Sequence, residues 1–169
     1  MPIPSDEREL ANLFRRLGAA DAEGWAQSQA EEGINQLHRF LFLRQAWGNV
    51  VREEDQDWME GAMSAAKARP NAPFAGVGAA LVRLVQAGAS RADLTELVRG
   101  MQAQLLFNLC YLLEDPSLPE DEVAEIGWAL VETNAEGEPT GRTIGGLHES
   151  VLETDPTGRE MRPRAGRQP

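Results

Sequence analysis

Residues 145–150, Gly-Gly-Leu-His-Glu-Ser, gather the side chains best suited to chemistry in this 169-residue chain. His148 can exchange a proton near neutral pH, Glu149 can act as a carboxylate base, and Ser150 can act as a hydroxyl nucleophile. Gly145 and Gly146 admit a close approach of backbone to a ligand. As an extended strand, the segment would put His148 and Ser150 on one face about 6.6 Å apart, too far for direct proton transfer. Glu149 would point the other way. No triad forms locally, and the Gly-x-Ser-x-Gly nucleophile elbow is absent. His148, Glu149 and Ser150 therefore stand as candidate catalytic residues, His148 acting alone as acid, base or ligand contact. Two similar stretches, Glu-Pro-Thr-Gly-Arg at 138–142 and Asp-Pro-Thr-Gly-Arg at 155–159, fit type I turns. Their arginines, Arg142 and Arg159, join His148 as candidate ligand-binding residues.

Other chemistries fail on inventory. With two histidines and one cysteine, the chain cannot build a Cys₄, Cys₂His₂ or His₃ zinc site. Glu120, Asp121, Glu122 and Glu125 lack the ordered spacing and central glycine of a calcium loop. Residues 137–143 resemble a phosphate loop, but are one residue short and carry Arg142 where lysine is needed. No metal and no cofactor is expected. Cys110 lies in an apolar run, where burial raises a thiol's pKa, so it is a poor nucleophile. His38 reads as a satisfied boundary histidine on an apolar stripe. Asn108, with Gln102 and Gln104, needs a polar partner inside an apolar span.

Charge suggests a second function class. Formal net charge is −11, with 27 acids against 16 bases. Between Arg99 and Arg142 there is no base, while nine acids occur. That balance excludes nucleic acid and an acidic membrane surface as main partners. It permits a basic protein, met through Glu120, Asp121, Glu122 and Glu125 as candidate partner-binding residues. The leading expectation is a non-enzymatic interaction module of the immunity, antitoxin or adaptor kind. The alternative is a small-molecule-binding protein or enzyme with its site in 142–160 near His148. The opening MPIPSDEREL shows no signal-peptide pattern and no run reaches membrane-span length, so a cytoplasmic location is expected. Arginine in place of lysine at all basic positions but Lys67 suggests a bacterial source.

The elements that must position these residues are mostly helical. Caps, glycine stops and apolar periodicity predict helices near 5–17, 21–32, 35–47, 52–68, 74–87 and 90–114. The last is apolar all round from 105 to 113, which predicts a central helix covered on every side, closing a tight hairpin with 74–87. It follows that Leu109→Asp should unfold the domain. After Pro116, alternation around Trp128 and the turn-rich 134–141 predict a hairpin whose returning strand is 142–152. The expected fold is mainly α (α+β): about five helices around a central buried helix 90–114, with a C-terminal β-hairpin packed on it. One domain, 1–153 with the hairpin at about 123–153, would precede an Arg- and Pro-rich flexible tail, 154–169.

Overall fold

A computed structural model describes residues 3–115, 118, 120–123 and 125–164. The described chain is mainly helical, with one small antiparallel hairpin. Its helices are α1 (Glu7–Leu17), α2 (Ala22–Glu32), α3 (Gln36–Trp47), α4 (Asp57–Ala68), α5 (Ala75–Gln86), α6 (Arg91–Glu114) and α7 (Leu147–Ser150). A 3-10 turn at Asp121–Val123 and strands β1 (Val131–Thr133) and β2 (Pro139–Thr143) lie between α6 and α7. Two compact units result, one from residues 1–48 and 105–169 and the other from 49–104. No helix among the described residues is long and apolar enough to cross a membrane.

Local signals set the helix ends. Asp6, one residue past the expected Ser5, caps α1 by accepting from the Glu9 N–H at 3.0 Å. Asp21 caps α2 through the Gly24 N–H at 3.0 Å. Gly18, Gly33 and Gly88 take positive φ where the chain leaves α1, α2 and α5.

In the first unit, Leu10, Phe14, Trp25, Leu37 and Phe40 form the core. The three aromatic rings meet at centroid distances of 5.6–6.0 Å. The Trp47 indole N–H donates to the Val151 carbonyl at 2.8 Å and fastens α3 to the end of α7; Leu147 in α7 and Val151 just after it are fully buried. The second unit packs Met59, Leu81 and Leu94 together with Trp58 and Met63. There α5 lies closely against α4, and the chain turns from α5 into α6 at Gly88, with Ser90 accepting from the Asp93 N–H and Leu81 of α5 in the same cluster as Leu94 of α6.

Two expectations are corrected, and a turn is found within the span expected as the tail. The second half of α6 is not covered on all sides, since Leu105, Leu109 and Leu112 are about half exposed. Its inward residue is the smaller Cys110, just as Thr95, Arg99 and Ala103 face inward in the first half. Leu109→Asp is therefore expected to leave a folded chain. Next, the returning strand ends at Thr143 and 147–150 is a helical turn, because Gly146 adopts φ 70°. Trp128 precedes β1 and donates its N–H to the Leu112 carbonyl at 2.7 Å. Finally, 155–161 forms a turn around buried Asp155, which accepts from the Thr157 N–H, the Thr157 hydroxyl and the Met161 N–H. Residues 165–169 of the expected tail lie outside the described residues.

Cys110 is fully buried, and burial, followed by the charge of Glu114, pushes its thiol up to about 11. A raised acid holds its proton in the folded state, so its contribution is complete below the ordinary value near 9.0 and is lost as pH climbs towards 11. Denaturation of the wild type and Cys110→Ala should therefore differ by roughly 2–3 kcal/mol more at pH 8 than at pH 11. A pH-independent difference would show that the thiol titrates normally.

Candidate functional site

The site begins at the corner between α2 and α3. Asn35 occupies the N-cap position of α3, yet its side chain makes no capping bond. Its amide instead donates to Glu132 Oε2 at 2.8 Å, and its Oδ1 meets His38 Nδ1 at 2.7 Å. Glu132, on β1, also lies 3.5 Å from the Arg142 guanidinium of β2 and 3.8 Å from His38. Arg142 donates further to the Gly33 carbonyl at 3.4 Å. These bonds attach the hairpin to the helical corner. The expected role of His38 as a satisfied boundary residue matches this geometry.

Arg39 follows one turn into α3. It is 91% buried, being only 9% exposed, and donates through Nε to the Gly145 carbonyl at 2.5 Å and through Nη1 to Ser150 Oγ at 3.4 Å. Its guanidinium lies over Gly146, where an added Cβ would meet Nη2 at 2.0 Å. The positive φ favours glycine at 146, and a side chain there would also have to displace the Arg39 guanidinium. Burial lowers the pKa of Arg39, opposed by the charges of Glu149, Glu114 and Glu153. No carboxylate forms an ion pair with Arg39 among the described residues. A buried guanidinium with only neutral partners is uncommon, because desolvating a charge is costly unless it is paired.

The end of α6 completes the arrangement. Glu114 accepts from the Leu147 N–H with one oxygen and contacts His148 Nδ1 with the other. It thereby holds the first turn of α7 and fixes one nitrogen of the imidazole, leaving Nε2 for a ligand or a proton. The Tyr111 ring packs edge-on against His148, with centroids 5.2 Å apart.

Arg39, Arg142, His148 and Glu149, with Asn35 and Gly145–Gly146, line a cleft of about 520 Å³. A smaller cleft of about 290 Å³ reaches Arg39 from Asp21, Trp25, Gln36, Ser150 and Glu153. Burial raises the Glu153 carboxyl pKa, and the charge of Asp21 adds to the shift.

Of the sequence-derived candidates, Arg142, His148 and Glu149 come together in the larger cleft, while Ser150 turns to the smaller one. Arg159 lines neither and instead donates to the Arg162 carbonyl. Glu120, Asp121, Glu122 and Glu125 are exposed around the 3-10 turn. Sequence reasoning missed Asn35, Arg39, Glu114 and Glu132. One signal was available: Arg39 falls three residues after Gln36 and beside Phe40, on the side of α3 that also carries Leu43 and Trp47. A charge on an inward stripe implies a polar partner or ligand. Among the described residues, no three His, Cys, Asp or Glu side chains are grouped to hold a metal ion.

No protein-family model, no curated protein and no solved structure matches the chain.

Proposed function

We infer that this protein binds a small anionic molecule, carrying a carboxylate or phosphate group, in the cleft between α3, β2 and α7. The observation that carries this reading is Arg39, buried in the wall of a 520 Å³ cleft and hydrogen-bonded, among the described residues, to the neutral Gly145 carbonyl and Ser150 hydroxyl. A planar guanidinium suits two-pronged binding of carboxylate or phosphate. Arg142 adds a second cation at the rim, and His148, oriented by Glu114, offers Nε2 for a hydrogen bond or proton transfer. The cleft volume fits a metabolite-sized ligand.

Thermal melting with inorganic phosphate, simple sugar phosphates and a series of mono- and dicarboxylates tests this reading. A ligand at about one hundred times its Kd should raise Tm by roughly 5–10 °C. Arg39→Met should abolish that shift, and Arg142→Ala should weaken binding about tenfold, measured against that variant's own unliganded melting curve, since Arg142 also ties the hairpin to Glu132 and Gly33. If none of these probes moves Tm, or if the shift survives Arg39→Met, the reading is wrong.

A second reading rests on the acids. Glu120, Asp121, Glu122 and Glu125 remain in water and enter no ion pair among the described residues, which supports a surface for a basic protein. Lysine at 120, 121 and 122 together should then abolish salt-sensitive capture of such a partner. Capture that is indifferent to salt and to these changes would rule it out.

A further inference from the structure

The C-terminal half of α6 presents an apolar face. Leu105, Leu109 and Leu112, four and three residues apart, share one side of the helix and are 58%, 47% and 48% exposed. Tyr111 lies on a different side of the helix, against His148, and is no part of this ridge. Trp128, held to the Leu112 carbonyl by its indole N–H, is 42% exposed, and Ile126 is 56% exposed. A cluster of large apolar side chains left in water marks an interaction surface.

We propose that this face docks a second copy of the same chain, as a two-fold dimer built on the 105–112 turns of α6. Charge is the first argument. No charged residue occurs from Gly100 to Leu113, although the whole chain carries a net −11. Two copies meeting through acidic surfaces would repel one another, whereas the 105–112 turns of α6 bring no like charges together, and the acids Glu122 and Glu125 fall at the edge beside Ile126. Shape is the second, because leucines at four- and three-residue spacing form a ridge that can pack against an identical ridge across a two-fold axis. Area is the third. At their observed exposures Leu105, Leu109, Leu112, Ile126 and Trp128 offer roughly 500 Å² per copy, or about 1,000 Å² for the pair, the least a specific interface needs.

Sedimentation equilibrium of the full chain tests the proposal. The expected mass is twice 18.5 kDa, about 37 kDa, at micromolar concentration. Leu109→Asp should raise the dimer Kd at least about 100-fold, giving an 18.5 kDa species with unchanged helical circular dichroism. Should that variant fail to fold, Leu105→Ser with Leu109→Ser decides, since serine removes the ridge without burying charge. A Glu136→Lys control, away from this face, should remain dimeric. A wild-type chain of monomer mass up to about 500 µM overturns the proposal, even if it captures a different protein. So does a dimer that persists undiminished in folded variants of the ridge.

Discussion

Gly78→Val is expected to disrupt the unit formed by residues 49–104, lowering stability by about 3 kcal/mol or more. Gly78 lies on the side of α5 that meets α4, and a Cβ built there would stand 2.1 Å from the Ala62 carbonyl oxygen and 2.7 Å from the Ala66 Cβ. Both obstacles belong to a helix, so relief requires the helices to part. Separation would strip cover from Met59 and Leu81, which are buried at 0% and 4% exposure. The control lies two residues earlier. A Cβ at Gly76 meets nothing within 4 Å, and alanine there should stabilise α5 by about 0.5–1 kcal/mol. Urea denaturation of both variants reads the contrast. A Gly78→Val protein within about 1 kcal/mol of wild type would mean that α4 and α5 do not approach this closely.

The same region shows what the sequence could reveal. Ala62, Ala66 and Gly78 suggest close helix approach by their size, and Asp21, Ser90, Gly18 and Gly88 mark helix ends by chemistry that acts within a few residues. The orientation of α6 was not legible. Its residues 105–113 are apolar on every side except at Asn108, so periodicity cannot select an inward face. Packing selects the side with Ala103 and Cys110, which lets neighbouring chain come close, and leaves the leucines outward. The exposed face used in the dimer proposal is the consequence.

At the cleft, local reasoning found Arg142, His148 and Glu149 because they cluster in sequence. It read 142–152 as a strand because glycines permit one, whereas the positive φ of Gly146 and the carboxylate of Glu114 turn 147–150 into helix. Glu114 is 33 residues from Leu147, and Arg39 is 106 residues from Gly145. Contacts over such separations leave no periodic trace. Two of the nine acids between Arg99 and Arg142, Glu114 and Glu132, are drawn into this network, so the acidic run is not one uniform surface. Its members around residue 121 are exposed, while Glu114 and Glu132 bond within the walls of the cleft.

Glu114→Ala is expected to lower stability by about 3 kcal/mol and to remove the ligand-dependent rise in melting temperature. The carboxylate accepts from the Leu147 N–H and holds His148 Nδ1, so its removal leaves two polar groups without their partner. Each unsatisfied group costs about 1–3 kcal/mol in a partly buried setting. A four-residue helix cannot persist on its own hydrogen bonds. Once α7 frays, Ser150 leaves Arg39, and the wall carrying His148 and Glu149 loses its position. Glu114→Gln separates the two roles. Its amide oxygen can still accept from the Leu147 N–H and preserve the turn, but the amide cannot hold His148 Nδ1 as the second carboxylate oxygen does. The glutamine variant should therefore retain most of the stability and show a smaller ligand-dependent rise in melting temperature than the wild type. A ligand shift undiminished in Glu114→Ala would detach His148 from binding and leave Arg39 and Arg142 as the only anchors. Equal losses in the alanine and glutamine variants would instead assign Glu114 to its contact with His148, with no part in holding the helical turn.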